Sequence, residues 1–198
     1  TAGMVGNILG PEEAYRFARG ETVVSSTGVQ ARLARPLDFL VVADHAENIG
    51  LAPMLRARDP DLLATALGRK LSDLVEAGDI AGAFRAWADS KNTGMDELAD
   101  PAMYANAWKM ITAAAERYND PGVFTALIGF EWTSGPGARN LHRNVVFRGG
   151  KANADTIIPF SNFDSSDPED LWNWMLTYEQ RTGERLLAIP HNGNLSNG

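Results

Sequence analysis

Three histidines and one glutamate stand out in this 198-residue chain, because each closes or opens a short apolar run. They are His45 in Asp44-His45-Ala46-Glu47, Glu131 in Glu131-Trp132-Thr133, His142 in Asn140-Leu141-His142-Arg143-Asn144, and His191 in His191-Asn192-Gly193. Imidazole and carboxylate are the ligand types that suit zinc, manganese and iron where sulfur is absent, and the chain has no cysteine. The same absence excludes thiolate zinc sites, disulfides and a cysteine nucleophile. A single histidine beside a strand is more often a hydrogen-bonded or surface residue than a ligand, and a carboxylate there is often a helix cap. The four taken together point to a metal site.

The elements that must position these residues can be read from periodicity. Leu37 to Val42, Val123 to Phe130, Asn144 to Phe147 and Leu186 to Ile189 have strand character. Asp59-Pro60, Asp100-Pro101 and Asp167-Pro168 each place a capping carboxylate before a proline suited to a first helical turn. Leu63, Leu67, Leu71, Leu74 and Val75 then recur at helical spacing, as do Met103, Ala107, Ile111, Ala114 and Tyr118. Shorter helices are expected over Pro11 to Ala18 and Ile80 to Ala88, and Trp172, Met175 and Leu176 are expected to mark the buried side of the helix after Pro168. Strands apolar on both faces and separated by helices imply an α/β fold with a mostly parallel sheet. Ligands of such folds bind beyond the carboxyl ends of strands, so the polar clusters should share one rim.

Alternation along a strand refines the ligand set, since neighbours point to opposite faces. His45 is then the ligand, and Asp44 a neighbour that orients an imidazole. Glu131 shares a face with Leu127 and Gly129, and the glycine should leave room for a metal. His191 shares a face with Ile189, and Asn192 points away.

Composition sets the limits. Hydrophobic residues make up 44% and charged residues 22%, the balance of a soluble globular protein. No run is long enough to cross a bilayer. A net charge of -7 disfavours a broad grip on nucleic acid, which needs clustered Lys and Arg, but leaves room for a small anionic substrate held locally. Thr1 to Leu9 read as no targeting segment, both ends look cut, and the absence of cysteine does not tell cytoplasm from periplasm. One domain accounts for the length, with the helical block from Leu51 to Tyr118 as an insertion within it that covers the site.

With those residues in view, the chain resembles the PHP superfamily (polymerase and histidinol phosphatase) of metal-dependent hydrolases, and within it a bacterial group labelled as a domain of unknown function. The match is carried by PEEAYRFARGE at Pro11 to Glu21, RPLDFLVVADHAENIG at Arg35 to Gly50, and FTALIGFEWTS through NLHRNVVFR at Phe124 to Arg148. PFSNFDSSDPEDLWNWM and LLAIPHNGNLSNG extend it, and the Leu51 to Asp100 helices match least.

The resemblance implies a distorted, TIM-like β/α barrel that binds up to three divalent ions, Zn, Mn or Fe, at the carboxyl ends of its strands. It implies His45, His142 and His191 as ligands, Asp44 as a neighbour, and Glu131 as a carboxylate bridging two metals. It also places a His-x-His motif before Thr1 and an Asp-x-His motif after Gly198. The chain therefore reads as a piece with little or no activity alone, and self-association or association with those segments is expected.

The implied activity is a phosphoesterase in which a metal-bridging hydroxide attacks phosphorus. Glu131, Asp44 and Arg143 are its candidate catalytic residues. Arg143 and Arg139 are candidates to grip a phosphate ester, and Asn192 and Asn194 to position it. The alternative is a degenerate module of the same superfamily with a structural or binding role.

Overall fold

The structure, a computed structural model, describes residues 3, 6–98, 100–135 and 139–191, the side chain of residue 92 excepted. It is a mixed α/β fold. Helix α1 (Pro11–Ala18) precedes a small antiparallel pair, β1 (Val23–Val24) and β2 (Gln30–Ala31), which periodicity did not foretell. Strand β3 (Phe39–His45) is followed by α2 (Leu51–Ala57), α3 (Pro60–Ala64), α4 (Ala66–Glu76), α5 (Ile80–Asn92) and α6 (Pro101–Tyr118). Strands β4 (Thr125–Ser134) and β5 (Leu141–Phe147), helices α7 (Lys151–Ala154) and α8 (Pro168–Thr182), and strand β6 (Leu186–Pro190) complete it.

The Asp-Pro starts behave as caps. Asp59, Asp100 and Asp167 each accept backbone N–H groups of the first turn, and proline follows at once. The helix expected from Pro60 is two helices. Thr65 adopts an extended conformation, ends α3 and caps α4 by accepting from Gly68 N, so a competing local cap interrupts the leucine stripe. In α8 the buried side chains are Leu171 and Tyr178, with Trp174 stacked on Tyr178, whereas Trp172 and Leu176 are 42% and 53% exposed. Both sets of residues recur at helical spacing, and packing against the sheet selects the first.

The main sheet has the order β3-β4-β5-β6, and it is mixed rather than mostly parallel. Only β3 and β4 pair in parallel; β4 with β5 and β5 with β6 are antiparallel. The connection between Ser134 and Leu141 is too short for a parallel crossover, which takes about a dozen residues, so β5 must run back along β4. From the far end of β5 the chain climbs through α7 and residues 155–167 to the site rim. It then descends along α8 and rises again as β6. No closed barrel forms among the described residues.

One face of the sheet is covered by helices. Phe130, Trp132, Val145 and Phe147 are buried there with Trp108 of α6 and Leu171 and Tyr178 of α8. Trp108 meets both Phe130 and Phe147, and its indole N–H donates to the Ala154 carbonyl. Full burial of side chains this size contributes about 1.5–3 kcal/mol each. Helix α1 closes the β3 side, where the Tyr15 hydroxyl donates to Leu127 O. The opposite face is open: Phe39, Leu187 and Ile189 are 63%, 59% and 41% exposed. Among the described residues, no helix is long and apolar enough to cross a membrane.

Candidate metal centre

The ladder sets the site. His45 pairs with Glu131, Glu131 with Asn144, and Thr133 with His142, so these side chains share the open face of the sheet. Three parallel strands end at this rim and the antiparallel β5 begins there, which is why His142 lies at the amino end of its strand. The β5–β6 register ends at Arg143 and Pro190, and His191 is the next residue on the same side as His142.

His45, Glu131 and His142 offer ligand atoms that all lie within 4.8 Å of one another. Glu131 is the hub. Its Oε1 is 2.5 Å from His142 Nδ1 and 3.4 Å from His191 Nε2, and its Oε2 is 3.7 Å from His45 Nε2. The ring centroids of His45 and His191 stand 6.1 Å and 5.7 Å from that of His142. His142 Nε2 is buried and has no hydrogen-bond partner among the described residues. An orphaned imidazole nitrogen beside two other imidazoles and a buried carboxylate fits a divalent ion, which satisfies such donors in place of water.

Two residues that sequence reasoning left inside their motifs turn out to organise the cluster. Thr133 Oγ1 lies 2.9 Å from His45 Nδ1 and 3.1 Å from His142 Nδ1, so one hydroxyl holds both rings. Glu47, 2% exposed, accepts the backbone N–H of Thr133 and of Asn162 on Oε1. The lateral order of the strands would have exposed Thr133, because it stands directly across the ladder from His142. Nothing in the local sequence marks Asn162, which reaches the site through the climb of residues 155–167.

The remaining candidates are placed differently. Asp44 is in register with Phe130, on the sheet face away from His45, and the orienting role expected of it falls to Thr133. Its side chain is exposed, yet protein surrounds it on several sides. That desolvation raises its carboxyl above the ordinary value, with Glu131 adding and His45 opposing. Arg143 is in register with Trp132 and Pro190, also on the far face, and its guanidinium donates to the His142 carbonyl. Arg139 is exposed in the segment before β5. Asn192 and Asn194 lie outside the described residues. Gly129 leaves no room for a metal: a Cβ there would stand 2.6 Å from Val41 Cγ2 and 2.8 Å from Val145 O, so the space serves strand packing.

The turn after His45 is held from below. Asn48 takes a left-handed conformation, φ 54°, and its amide donates to Tyr104 and Asp96 while accepting from the Trp87 indole. Helices α5 and α6 are thereby tied to the loop that follows His45 and carries Glu47.

The fold and the site define an α/β protein with a His/carboxylate cluster suited to a divalent cation. The chain belongs to the family described as "Protein of unknown function (DUF3604)", whose model matches residues 1–198. No curated protein and no solved structure matches it.

Proposed function

We propose that this protein is a divalent-metal-dependent hydrolase of the PHP superfamily and that it acts on a phosphate ester. The observation that carries this reading is the convergence of His45, Glu131 and His142 from three strands, and of His191 from just beyond the end of a fourth, with Glu131 in contact distance of all three imidazoles. The open sheet is read accordingly as a sector of a distorted β/α barrel.

His45, Glu131, His142 and His191 would hold the metal. When bound, a divalent ion supplies a water acidic enough to ionise near neutral pH and draws charge from phosphoryl oxygens. Glu131 contributes the negative charge that offsets the cation, and the imidazoles contribute neutral donors. Thr133 fixes the orientation of two rings, and Phe130 and Trp132, packed into the helices on the reverse face, keep β4 from yielding. Arg139, exposed in the segment before β5, is the guanidinium we assign to meet a phosphate oxygen.

The experiment is metal analysis of the purified protein followed by a screen of phosphomonoesters, phosphodiesters and sulfate esters with Zn, Mn or Fe supplied. Metal-dependent turnover of a phosphate ester, lost in His142→Ala, supports the reading. A folded protein that takes up none of these ions overturns it.

A further inference from the structure

We infer that Glu47 is a positioning residue of the metal centre: it accepts the Nδ1 proton of His45 and so makes Nε2 the nitrogen offered to the ion. This rests on the metal reading above. Glu47 Oε2 is buried, has no hydrogen-bond partner among the described residues, and lies 3.6 Å from His45 Nδ1. A buried carboxylate oxygen left without a donor is costly, so its environment must provide one. Among the described residues, the His45 imidazole in front of it is a donor in reach. On the other side of the same ring, Nε2 faces Glu131 Oε2. His45 thus stands between two carboxylates, and only one of them, Glu131, belongs to the cluster that would bind metal.

The carboxylate is aimed rather than free. Oε1 is fixed by two backbone donors from separate segments, Thr133 N at 3.2 Å and Asn162 N at 3.0 Å, which leaves Oε2 a single direction. A carboxylate held in this way behind a ligating histidine sets the tautomer and the ring plane, and loss of such a partner typically costs 10- to 100-fold in metal affinity. Thr133 Oγ1 also touches His45 Nδ1, but it is shared with His142, and with one proton and two lone pairs it can donate to one ring or accept from either or both, so it fits both tautomers of His45. Glu47 cannot donate when ionised, so it alone specifies which tautomer His45 adopts.

Glu47→Gln separates the two roles of the side chain. The amide oxygen can keep the two backbone donors, and the amide N–H₂ then faces His45 Nδ1 as a donor. His45 should switch to the tautomer protonated on Nε2, the nitrogen a metal needs.

The test is 15N NMR of histidine-labelled, metal-free protein, with the signals of the three histidines assigned by single substitutions, together with Zn(II) titration by competition with a chromophoric chelator. Expected are an Nδ1–H tautomer for His45 in the wild type and in Thr133→Val, an Nε2–H tautomer in Glu47→Gln, and a Zn(II) affinity about 10- to 100-fold weaker in Glu47→Gln. An Nε2–H tautomer in the wild type, or one that appears in Thr133→Val, overturns the inference, as does a Glu47→Gln protein with unchanged tautomer and affinity. If Glu47→Gln fails to fold, the wild type and Thr133→Val decide it. A wild type that takes no Zn(II) sinks the functional reading, whereas the tautomers still decide the role of Glu47.

Discussion

Thr133 stands directly across the β4–β5 ladder from His142, and its hydroxyl lies 3.1 Å from that ring's Nδ1 while also reaching His45. Thr133→Val keeps the shape and removes the hydroxyl. Loss of a buried hydrogen bond should lower stability by about 1 kcal/mol. Metal affinity should fall by less than about tenfold, below the range typical when an orienting partner is lost outright, because Glu131 and Glu47 still face the two rings. Denaturant unfolding and metal titration check both values.

Glu131→Gln should empty the site and leave the fold intact. The change removes the one charge in contact distance of all three imidazoles, at nearly constant volume. Metal content measured by mass spectrometry and the phosphoesterase rate should fall together, with far-ultraviolet circular dichroism unchanged. Retained metal and turnover would show that Glu131 is a structural contact only.

Gly129→Ala should destabilise the protein by about 1–3 kcal/mol, the usual range for overpacking. The added methyl meets both a side chain, Val41, and a main-chain oxygen, that of Val145. Val41→Ala in the same protein should recover part of the loss but not all, since the carbonyl cannot be trimmed. Full recovery in the double variant would mean that the backbone contact is immaterial.

Tyr15 should give an alkaline signature. Burial pushes its phenol up to about 12, against an ordinary value of 10.0. A proton held more tightly in the folded state contributes stability that is complete below pH 10 and is lost as pH rises toward 12. Burial raises the phenols of Tyr104 and Tyr178 as well, so Tyr15→Phe should reduce the decline in thermal stability across that window without abolishing it, and should remove one of several late-titrating phenols from the tyrosinate absorbance of the wild type.

Much of this site was legible before any coordinates, and the reason is physical. His45, Glu131, His142 and His191 interrupt apolar runs at their ends, and alternation alone separated His45 from Asp44. The helix starts at Pro60, Pro101 and Pro168 were legible because capping is local chemistry. Hidden were the features that depend on which strand lies beside which. Thr133 acquires its role from the register with β5, and Glu47 from a loop more than a hundred residues away. The short connection before β5 already implies antiparallel pairing by its length, against the mostly parallel sheet that the apolar runs suggest. In α8, Leu171 and Tyr178 compete with Trp172 and Leu176 for the same periodicity, and no local rule chooses between them.

The ladder of β3, β4 and β5 also acts as a ruler. His45, Glu131 and His142 are separated sideways by the spacing of hydrogen-bonded strands, about 4.7–4.9 Å, a constant of the backbone rather than a choice of rotamer. A bound ion's size would therefore be matched by small side-chain adjustments around a fixed frame. The same frame makes the centre all-or-none with respect to alignment. A slip of one residue between β4 and β5 would preserve most hydrogen bonds and every helix, yet it would turn His142 to the opposite face and bring Arg143 round in its place. An evolving lineage could thus change the residues that decorate this rim freely, but could alter the length of β4 or β5 only in steps of two.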